Sequence, residues 1–198
     1  MDKLFDIDNQ IIGEVRAGNS RRYGQLIDRH KDKAVTLALR LTGSREEAEE
    51  LVQDAFLRAF RSLDRFRGDA KFSTWFYRIL YNLCMTRVTR RKGKPEVRTL
   101  GGDNEQRLNT LKVDEEDLTI HERLEQEELQ EIIAQEIDRL PGNYKSAVTL
   151  FYVQEMSYEE ISVVQDLPLG TVKTNLFRGR NLLRERVTTK LKGEMKVA

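Results

Sequence analysis

The 198-residue sequence has 39% apolar and 34% charged residues and a formal net charge of +1, a composition typical of globular proteins with one or two small domains. It lacks the run of roughly 18 apolar residues that a membrane span needs and the apolar segment of a signal peptide, so a cytoplasmic protein is expected. Its single cysteine, Cys84, excludes an internal disulfide framework and any zinc site made of several cysteines.

The charges are unevenly distributed along the chain. Residues 1–95 hold 20 Lys/Arg against 13 Asp/Glu (+7), residues 96–140 hold 5 against 14 (−9), and residues 141–198 hold 9 against 6 (+3). Two basic blocks that flank an acidic one predict two candidate nucleic-acid surfaces. A solvated acidic linker would give the same pattern without any ligand.

Helical periodicity dominates the first half of the chain. Asp8 is predicted to cap a short first helix that Gly18 ends, and Ser20 to begin a longer second helix that Gly43 ends. His30 falls in the apolar stripe of the second helix. The sequence has only one other histidine, so we expect a partly buried, hydrogen-bonded histidine rather than a metal ligand. No metal site or cofactor is predicted.

A third helix begins at Ser44, which forms a capping-box pattern with Glu47. The acids at 46–50 suit the first turns of a helix, where they offset the macrodipole, better than they suit catalysis. The face opposite the apolar stripe carries Gln53, Asp54, Leu57, Arg58 and Arg61. Leu57 is apolar among charges, which fits either a single exposed leucine or an anchor for a helix of a partner protein.

Residues 60–92 are rich in aromatic and basic side chains, a mixture that suits either a plain core or the binding of unpaired nucleic acid. The helical register predicts an inward stripe comprising Phe60, Phe72, Trp75, Phe76, Ile79 and Leu80. The outer face, together with the preceding loop, is predicted to comprise Phe66, Lys71, Tyr77, Arg78, Tyr81, Asn82, Arg87, Arg90 and Arg91. Cys84 is expected to be a buried, inert thiol.

Periodicity then fails, and residues 95–118 read as an acidic, flexible linker. A connection of this length is uncommon inside one domain, so we expect two domains, 1–94 and 119–198. The second begins with a capping-box pattern at Thr119 and Glu122.

The strongest local motif lies in the last fifty residues. Ser157 and Glu160 cap a short helix, residues 166–170 form a tight turn, and Thr171 opens a longer basic helix, which together predict a helix-turn-helix. The side chains predicted to face DNA are Thr171, Lys173, Thr174, Asn175, Phe177, Arg178 and Arg180. An ordinary helical hairpin with a solvated basic face is the alternative.

Two segments resemble bacterial sigma factors. EEAEELVQDAFLRAFRSLDRFRGDAKFSTWFYRILYN (46–82) is similar to region 2, and LPGNYKSAVTLFYVQEMSYEEISVVQDLPLGTVKTNLFRGRNLLR (140–184) is similar to region 4. The short chain most resembles the extracytoplasmic function (ECF) subgroup. The resemblance implies an all-α fold of two small helical domains joined by a flexible linker, with the helix-turn-helix in the C-terminal domain.

The resemblance also implies a role for each surface. The outer face of the third helix would dock on the clamp helices of the largest subunit of core RNA polymerase. The loop from Phe66 to Lys71, with Asn82, would capture a base flipped from the non-template strand of the −10 element. The helix from Thr171 would read the −35 element as duplex DNA. An anti-sigma factor, often membrane-bound in the family, would be a further partner, and neither an enzymatic activity nor a small-molecule substrate is implied.

Two positions depart from the family's usual pattern. Asn175 and Gly179 stand where relatives often carry Arg and Ala, so the promoter sequence cannot be transferred. An ordinary helix-turn-helix regulator that binds duplex DNA without polymerase is the alternative function. A nuclease is disfavoured, because the sequence shows no converging carboxylates, Gly-rich phosphate loop or metal cluster.

Overall fold

The computed structural model describes residues 3–92 and 120–194, and every regular element in these ranges is helical. The helices are α1 (Lys3–Arg16), α2 (Tyr23–Thr42), α3 (Arg45–Arg61), α4 (Phe72–Lys92), α5 (Ile120–Asp138), α6 (Gly142–Val148), α7 (Tyr158–Gln165) and α8 (Leu169–Glu194). The predicted all-α class is confirmed. The predicted linker 95–118 and the Thr119 cap lie outside the described residues.

The predicted start of the first helix is wrong. α1 begins before Asp8, whose buried carboxylate instead joins α1 to α2. It accepts a hydrogen bond from Arg29 Nε at 2.8 Å and lies 2.8 Å from His30 Nε2. His30 is therefore the satisfied, partly buried histidine that its register predicts.

Other helix ends agree with the sequence. Ser44 Oγ accepts a hydrogen bond from the Glu47 backbone N–H at 3.3 Å, so this residue caps α3 as predicted. Gly43 ends α2 with a φ of 74°, the left-handed conformation that glycine adopts without steric cost. Ser157 and Glu160 form a complete capping box at the start of α7.

Aromatic side chains fill the core between α2, α3 and α4. Phe56 of α3 stacks on Phe76 of α4 with ring centroids 4.3 Å apart, and Phe72 is fully buried beside them. Phe60, predicted to be in this core, is 41% exposed, because it lies at the edge of α3 against the ring of Tyr23. Cys84 is buried as predicted, and burial raises the pKa of its thiol to about 12.

The N-terminal helices α1–α4 contact the C-terminal helices α5–α8 directly, chiefly through α4 against α7 and α2 against α6. The buried Arg40 lies 3.3 Å from Asp138, and Gln154 Nε2 donates to the carbonyl of Lys33 at 2.8 Å.

None of the helices in the described ranges is long and apolar enough to cross a membrane.

Candidate nucleic-acid interface

The outer face of α3 presents an apolar side chain framed by charges. Leu57 is 55% exposed, while Leu51 and Phe56 on the opposite face are buried. Arg58 forms an i,i+4 ion pair with Asp54 at 2.9 Å. Gln53 and Arg61 are also exposed, so the surface predicted for polymerase binding is available to a partner.

The loop that connects α3 and α4 is fixed by an arginine from α1. Arg16 Nη2 donates to the carbonyl of Leu63 at 2.6 Å and also to the carbonyl of Phe66. Gly68 follows with a φ of 80°. The loop therefore has a defined backbone path that depends on a helix more than 40 residues earlier in the chain.

Two of the aromatic residues predicted to meet DNA lie in the core. Phe66 is 5% exposed and packs edge-on against Phe72, with centroids 6.1 Å apart. Tyr77 is 2% exposed, its hydroxyl has no hydrogen-bond partner, and burial raises the pKa of its phenol. The prediction that these rings face outward is wrong. Tyr77 lies on α4, which α7 covers on a second side, so its buried arc is wider than one apolar stripe. The Phe66 ring turns inward on the loop that Arg16 holds.

Three other residues predicted to contact DNA, Lys71, Arg78 and Tyr81, contact residues of the C-terminal half of the chain. Lys71 Nζ lies 3.5 Å from Glu160 Oε1, and Arg78 Nη2 lies 3.3 Å from Asp166 Oδ1. Burial raises the pKa of Tyr81, although its hydrogen bond with Ser146 of α6 acts in the opposite direction.

Acids of α3 meet the basic end of α4. Arg87 donates to both carboxylate oxygens of Glu50 at 3.2 Å, and these hydrogen bonds raise the pKa of the guanidinium. Arg91 lies 3.6 Å from Glu47. Asn82 and Arg90 are exposed. The outer face of α4 therefore carries the predicted arginines and Asn82. Tyr77, which was also predicted there, is buried.

The N-terminal half of α8 presents a basic surface. Phe177 is 66% exposed, and the Arg180 guanidinium lies 6.0 Å from the centroid of the Tyr152 ring. The remaining residues predicted on this face, except one, are exposed: Thr171, Lys173, Thr174 and Arg178. Asp166, in the left-handed conformation with a φ of 55°, makes the turn that brings α7 to α8.

Asn175 is the exception. It is 8% exposed and its side-chain oxygen lies 3.5 Å from Asn143 Nδ2, so the prediction that it faces DNA is wrong. The register places it beside Val172 and Leu176, on the side of α8 that packs against α6.

Sequence reasoning missed the second role of Glu160 and Asp166. Both were explained locally, as a cap and as a turn residue. Their partners on α4 are 86 and 88 residues away in the chain, and no local pattern signals such a pairing.

In the described ranges, no group of three or more His, Cys, Asp or Glu side chains is placed to hold a metal ion.

Comparison with known families agrees with this geometry. The Sigma-70 region 2 family matches residues 26–94, and the Sigma-70 region 4 family matches residues 130–183. The first range begins within α2 and covers α3 and α4 with the loop between them. The second begins midway through α5 and covers α6, α7 and more than half of α8.

Relatives match nearly the whole chain. The ECF RNA polymerase sigma factor SigW of Bacillus subtilis is 34% identical over 187 residues, which cover 89% of this chain and 94% of that protein. The ECF RNA polymerase sigma-E factor of Escherichia coli is 33% identical, covering 91% and 94%. Among solved structures, the sigma factor RpoE in complex with the anti-sigma factor NepR from Bartonella quintana shares the fold, with a TM-score of 0.60 and 19% identity over 84% of this chain and 96% of that one. The chain therefore belongs to the ECF sigma factors of RNA polymerase.

Proposed function

We propose that this protein binds core RNA polymerase, directs it to specific promoters and helps to open the −10 region. The observation that carries the proposal is the separation of two exposed surfaces, one on α3 around Leu57 and one on α4 around Asn82, on a chain that also holds a basic helix-turn-helix. A polymerase-binding factor of this kind acts where the chromosome is, in the bacterial cytoplasm, and needs no cofactor or catalytic residue.

The α3 surface is the proposed polymerase contact. Leu57 would insert between side chains of the clamp helices, while Gln53, Asp54, Arg58 and Arg61 surround it with polar and charged groups. An apolar anchor within a polar rim is the usual organisation of an energetically important protein contact.

The −10 element is the proposed ligand of α4 and the loop before it. Lys71, Arg78, Arg87, Arg90 and Arg91 provide cations for the phosphates, and Asn82 offers an amide to a base edge. Flipping a base costs a few kcal/mol of stacking and pairing. Contacts in the loop must offset this cost, so that strand opening is coupled to sequence reading.

In this arrangement Phe66 and Tyr77 lie in the core beneath the proposed −10 surface and support it by packing. The Phe66 ring packs on Phe72 and Trp75, and its backbone carbonyl is held by Arg16. A captured base would therefore meet the backbone and polar groups of the loop rather than either of these rings.

The −35 element is the proposed ligand of α8. The exposed side chains Thr171, Lys173, Thr174, Phe177, Arg178 and Arg180 lie near the N-terminal half of this helix, the part that enters the major groove in helix-turn-helix proteins. Asn175 would position α8 through α6 instead of reading a base.

An anti-sigma factor is the proposed regulator. The Bartonella relative of similar fold was solved in complex with one, and we propose that this chain is likewise held inactive by such a protein and released on a stress signal.

The test combines a gel shift with a permanganate footprint on a target promoter. The protein alone should bind promoter DNA weakly, whereas the protein with core polymerase should bind strongly and make thymines near −10 reactive. Strong sequence-specific binding without polymerase, and no thymine reactivity with it, would contradict the proposal and favour an ordinary helix-turn-helix regulator.

A further inference from the structure

The loop between α3 and α4, residues 67–71, is fixed at both ends by the core. Phe66, which precedes it, and Phe72, which follows it at the start of α4, are 5% and 1% exposed, and their rings pack edge-on. Gly68 turns the chain between them with a φ of 80°. The loop therefore leaves the core and returns to it within a few residues, and it forms part of the surface proposed to capture a base.

The guanidinium of Arg16 acts at the point where this loop leaves the core. Its Nη2 donates to the carbonyls of Leu63 and Phe66. The Leu63 carbonyl already accepts the Phe66 backbone N–H at 3.0 Å, so this turn is hydrogen-bonded without the arginine. The bond to the Phe66 carbonyl is the one that constrains the loop, because the planar peptide bond transmits the direction of that oxygen to Arg67.

Arg16 can fix the loop because α1 is itself held on the neighbouring helix. In the middle of α1, the Asp8 carboxylate lies 2.8 Å from His30 Nε2 of α2. Near the end of α1, Glu14 Oε1 accepts from Arg22 Nη2 at 3.0 Å. These two contacts set the position of the helix from which Arg16 reaches the loop.

Reading a base requires that the loop be placed precisely. A hydrogen bond to a base edge distinguishes one base from another only while its donor and acceptor are aligned. Groups that recognise a ligand must be held within about 0.5 Å of the productive geometry. A loop without the bond from Arg16 would keep its own residues and charges and would lose this alignment.

We propose that Arg16 is a positioning residue for base capture, which sets how strongly the loop prefers one base over the others. The inference rests on the proposed role of this loop in binding the −10 strand. Arg16 acts through the Phe66 carbonyl and does not read the base itself. Two simpler roles differ in their consequences: a phosphate contact would raise the affinity for every base alike, and a purely structural contact would change stability alone.

One substitution removes the bonds and a second serves as its control. Arg16→Ala deletes both hydrogen bonds and places the best helix-forming residue in the last turn of α1. The matched control is Arg21→Ala, which removes the same charge from a nearby exposed position. Both variants are compared with the parent under conditions in which circular dichroism shows the same helical signal.

The first measurement uses the single tryptophan of the chain as a probe of the loop. Trp75 is half-buried, and its ring centroid lies 5.3 Å from that of Phe66. In the free, full-length protein, acrylamide should quench its fluorescence more steeply in Arg16→Ala than in the parent, and Arg21→Ala should match the parent. Equal quenching in Arg16→Ala and the parent would overturn the inference, because the loop would then keep its place without the arginine.

The second measurement is base selectivity in the complex with core polymerase. The probes are fluorescent single-stranded oligonucleotides of the −10 non-template strand of the target promoter, with each of the four bases in turn at each position. At the position where the parent is most selective, the ratio of the affinities for the best and the worst base should fall about three- to tenfold in Arg16→Ala. This is the effect of losing one or two hydrogen bonds of ordinary net strength. Arg21→Ala should keep the ratio of the parent.

The ratio separates positioning from the two simpler roles. A smaller folded fraction lowers the apparent affinities for all bases equally and leaves their ratio unchanged. Loss of one phosphate contact would also lower them equally, with a slope of log K against log salt that is smaller by about 0.7. An Arg16→Ala variant with the ratio of the parent would therefore overturn the inference, whatever its overall affinity.

Failure of this inference is distinguishable from failure of the proposed function. A parent complex that prefers no base at any position and makes no thymine near −10 reactive to permanganate would overturn the proposed base capture and the inference with it. A parent complex that selects a base and opens the promoter, with an equal ratio in Arg16→Ala, would overturn only the positioning role of Arg16.

Discussion

A Cβ atom added at Gly179 would lie 2.9 Å from Val148 Cγ2 and 3.2 Å from Tyr144 Cβ. α6 and α8 therefore approach each other at a point where a side chain does not fit. Gly179, one of the two positions that depart from the family's usual pattern, therefore lies where α8 packs closely against α6.

We expect Gly179→Ala to lower the free energy of unfolding by up to about 2 kcal/mol. Overpacking costs about 1–3 kcal/mol, and the gain of about 1 kcal/mol in helix propensity offsets only part of that cost. Gly13→Ala is the control, since Gly13 lies within α1 with no atom near the added Cβ, and it should stabilise the protein. Urea unfolding measures both, and a stabilised Gly179→Ala variant would show that the helices can move apart freely.

The buried tyrosines Tyr77 and Tyr23 form a matched pair. The Tyr77 hydroxyl has no partner, whereas the Tyr23 hydroxyl donates to the Phe56 carbonyl at 2.7 Å. Tyr77→Phe should leave stability unchanged or raise it by about 1 kcal/mol, and Tyr23→Phe should lower it by about 1 kcal/mol. Tyr77→Phe should also leave promoter opening unchanged. A loss of opening with normal stability would place the Tyr77 hydroxyl at the DNA after all.

Leu57→Asp should abolish binding to core polymerase without unfolding the protein. The side chain is exposed, so the substitution removes an apolar anchor and buries nothing new in the free protein. Circular dichroism and polymerase pull-down measure the two effects. Leu129→Asp, at another exposed leucine, should bind polymerase normally. Collapse of the helical signal in Leu57→Asp would mean that Leu57 supports the fold.

Asn82→Ala should lower open-complex formation and leave polymerase binding intact. The side chain is exposed on α4, and its proposed contribution is a hydrogen bond to a captured base, worth about 1–3 kcal/mol of discrimination. The fraction of permanganate-reactive promoter measures this step. Thr89→Ala, at an exposed position later on the same helix, should open promoters normally. Equal loss of binding and opening in Asn82→Ala would identify a structural role.

Asp8 should make the protein sensitive to acid. Burial raises the pKa of this carboxyl, but hydrogen bonds and charge from His30 and Arg29 outweigh it and hold the pKa below its ordinary value of 3.8. A carboxyl with a lowered pKa in the folded state stabilises the protein above pH 3.8, and this contribution is lost as the pH falls through the folded pKa.

Asp8→Asn should therefore lower the free energy of unfolding by about 1–3 kcal/mol at pH 7, with a smaller difference from the parent near pH 3. Urea titrations at the two pH values measure this. Asp28→Asn, at an exposed aspartate paired with Lys31, should change stability by less than about 0.5 kcal/mol at either pH. A difference between Asp8→Asn and the parent that is equal at both pH values would show that ionisation of Asp8 is not involved.

Much of the fold follows from local patterns in the sequence. The caps at Ser44 and Ser157, the stop at Gly43 and the turn after α7 are each determined by a few neighbouring residues, and all are present in the structure. Leu57 could be singled out for the same reason, because its position relative to the apolar stripe of α3 needs no knowledge of other helices.

The errors occur where a distant element decides the environment. Periodicity predicts outer faces for Tyr77 and Asn175, because it gives each helix a single apolar stripe. α4 is covered by α2 and α3 on one side and by α7 on another, while α8 is crossed by α6. Phe66 is similar, since its ring turns inward on a loop whose path depends on α1. The number of faces a helix buries is a tertiary property that periodicity does not report.

The hydrogen bonds from Arg16 make α1 a structural support of the loop between α3 and α4. The matched region 2 family begins at residue 26, whereas the guanidinium that holds the Leu63 and Phe66 carbonyls lies ten residues earlier. A fragment cut at the boundaries of this family match would keep every residue proposed to touch the −10 element and would lose the donor that holds their loop. We therefore expect a fragment to need residues before 26 if it is to keep the loop conformation on which the proposed −10 surface depends.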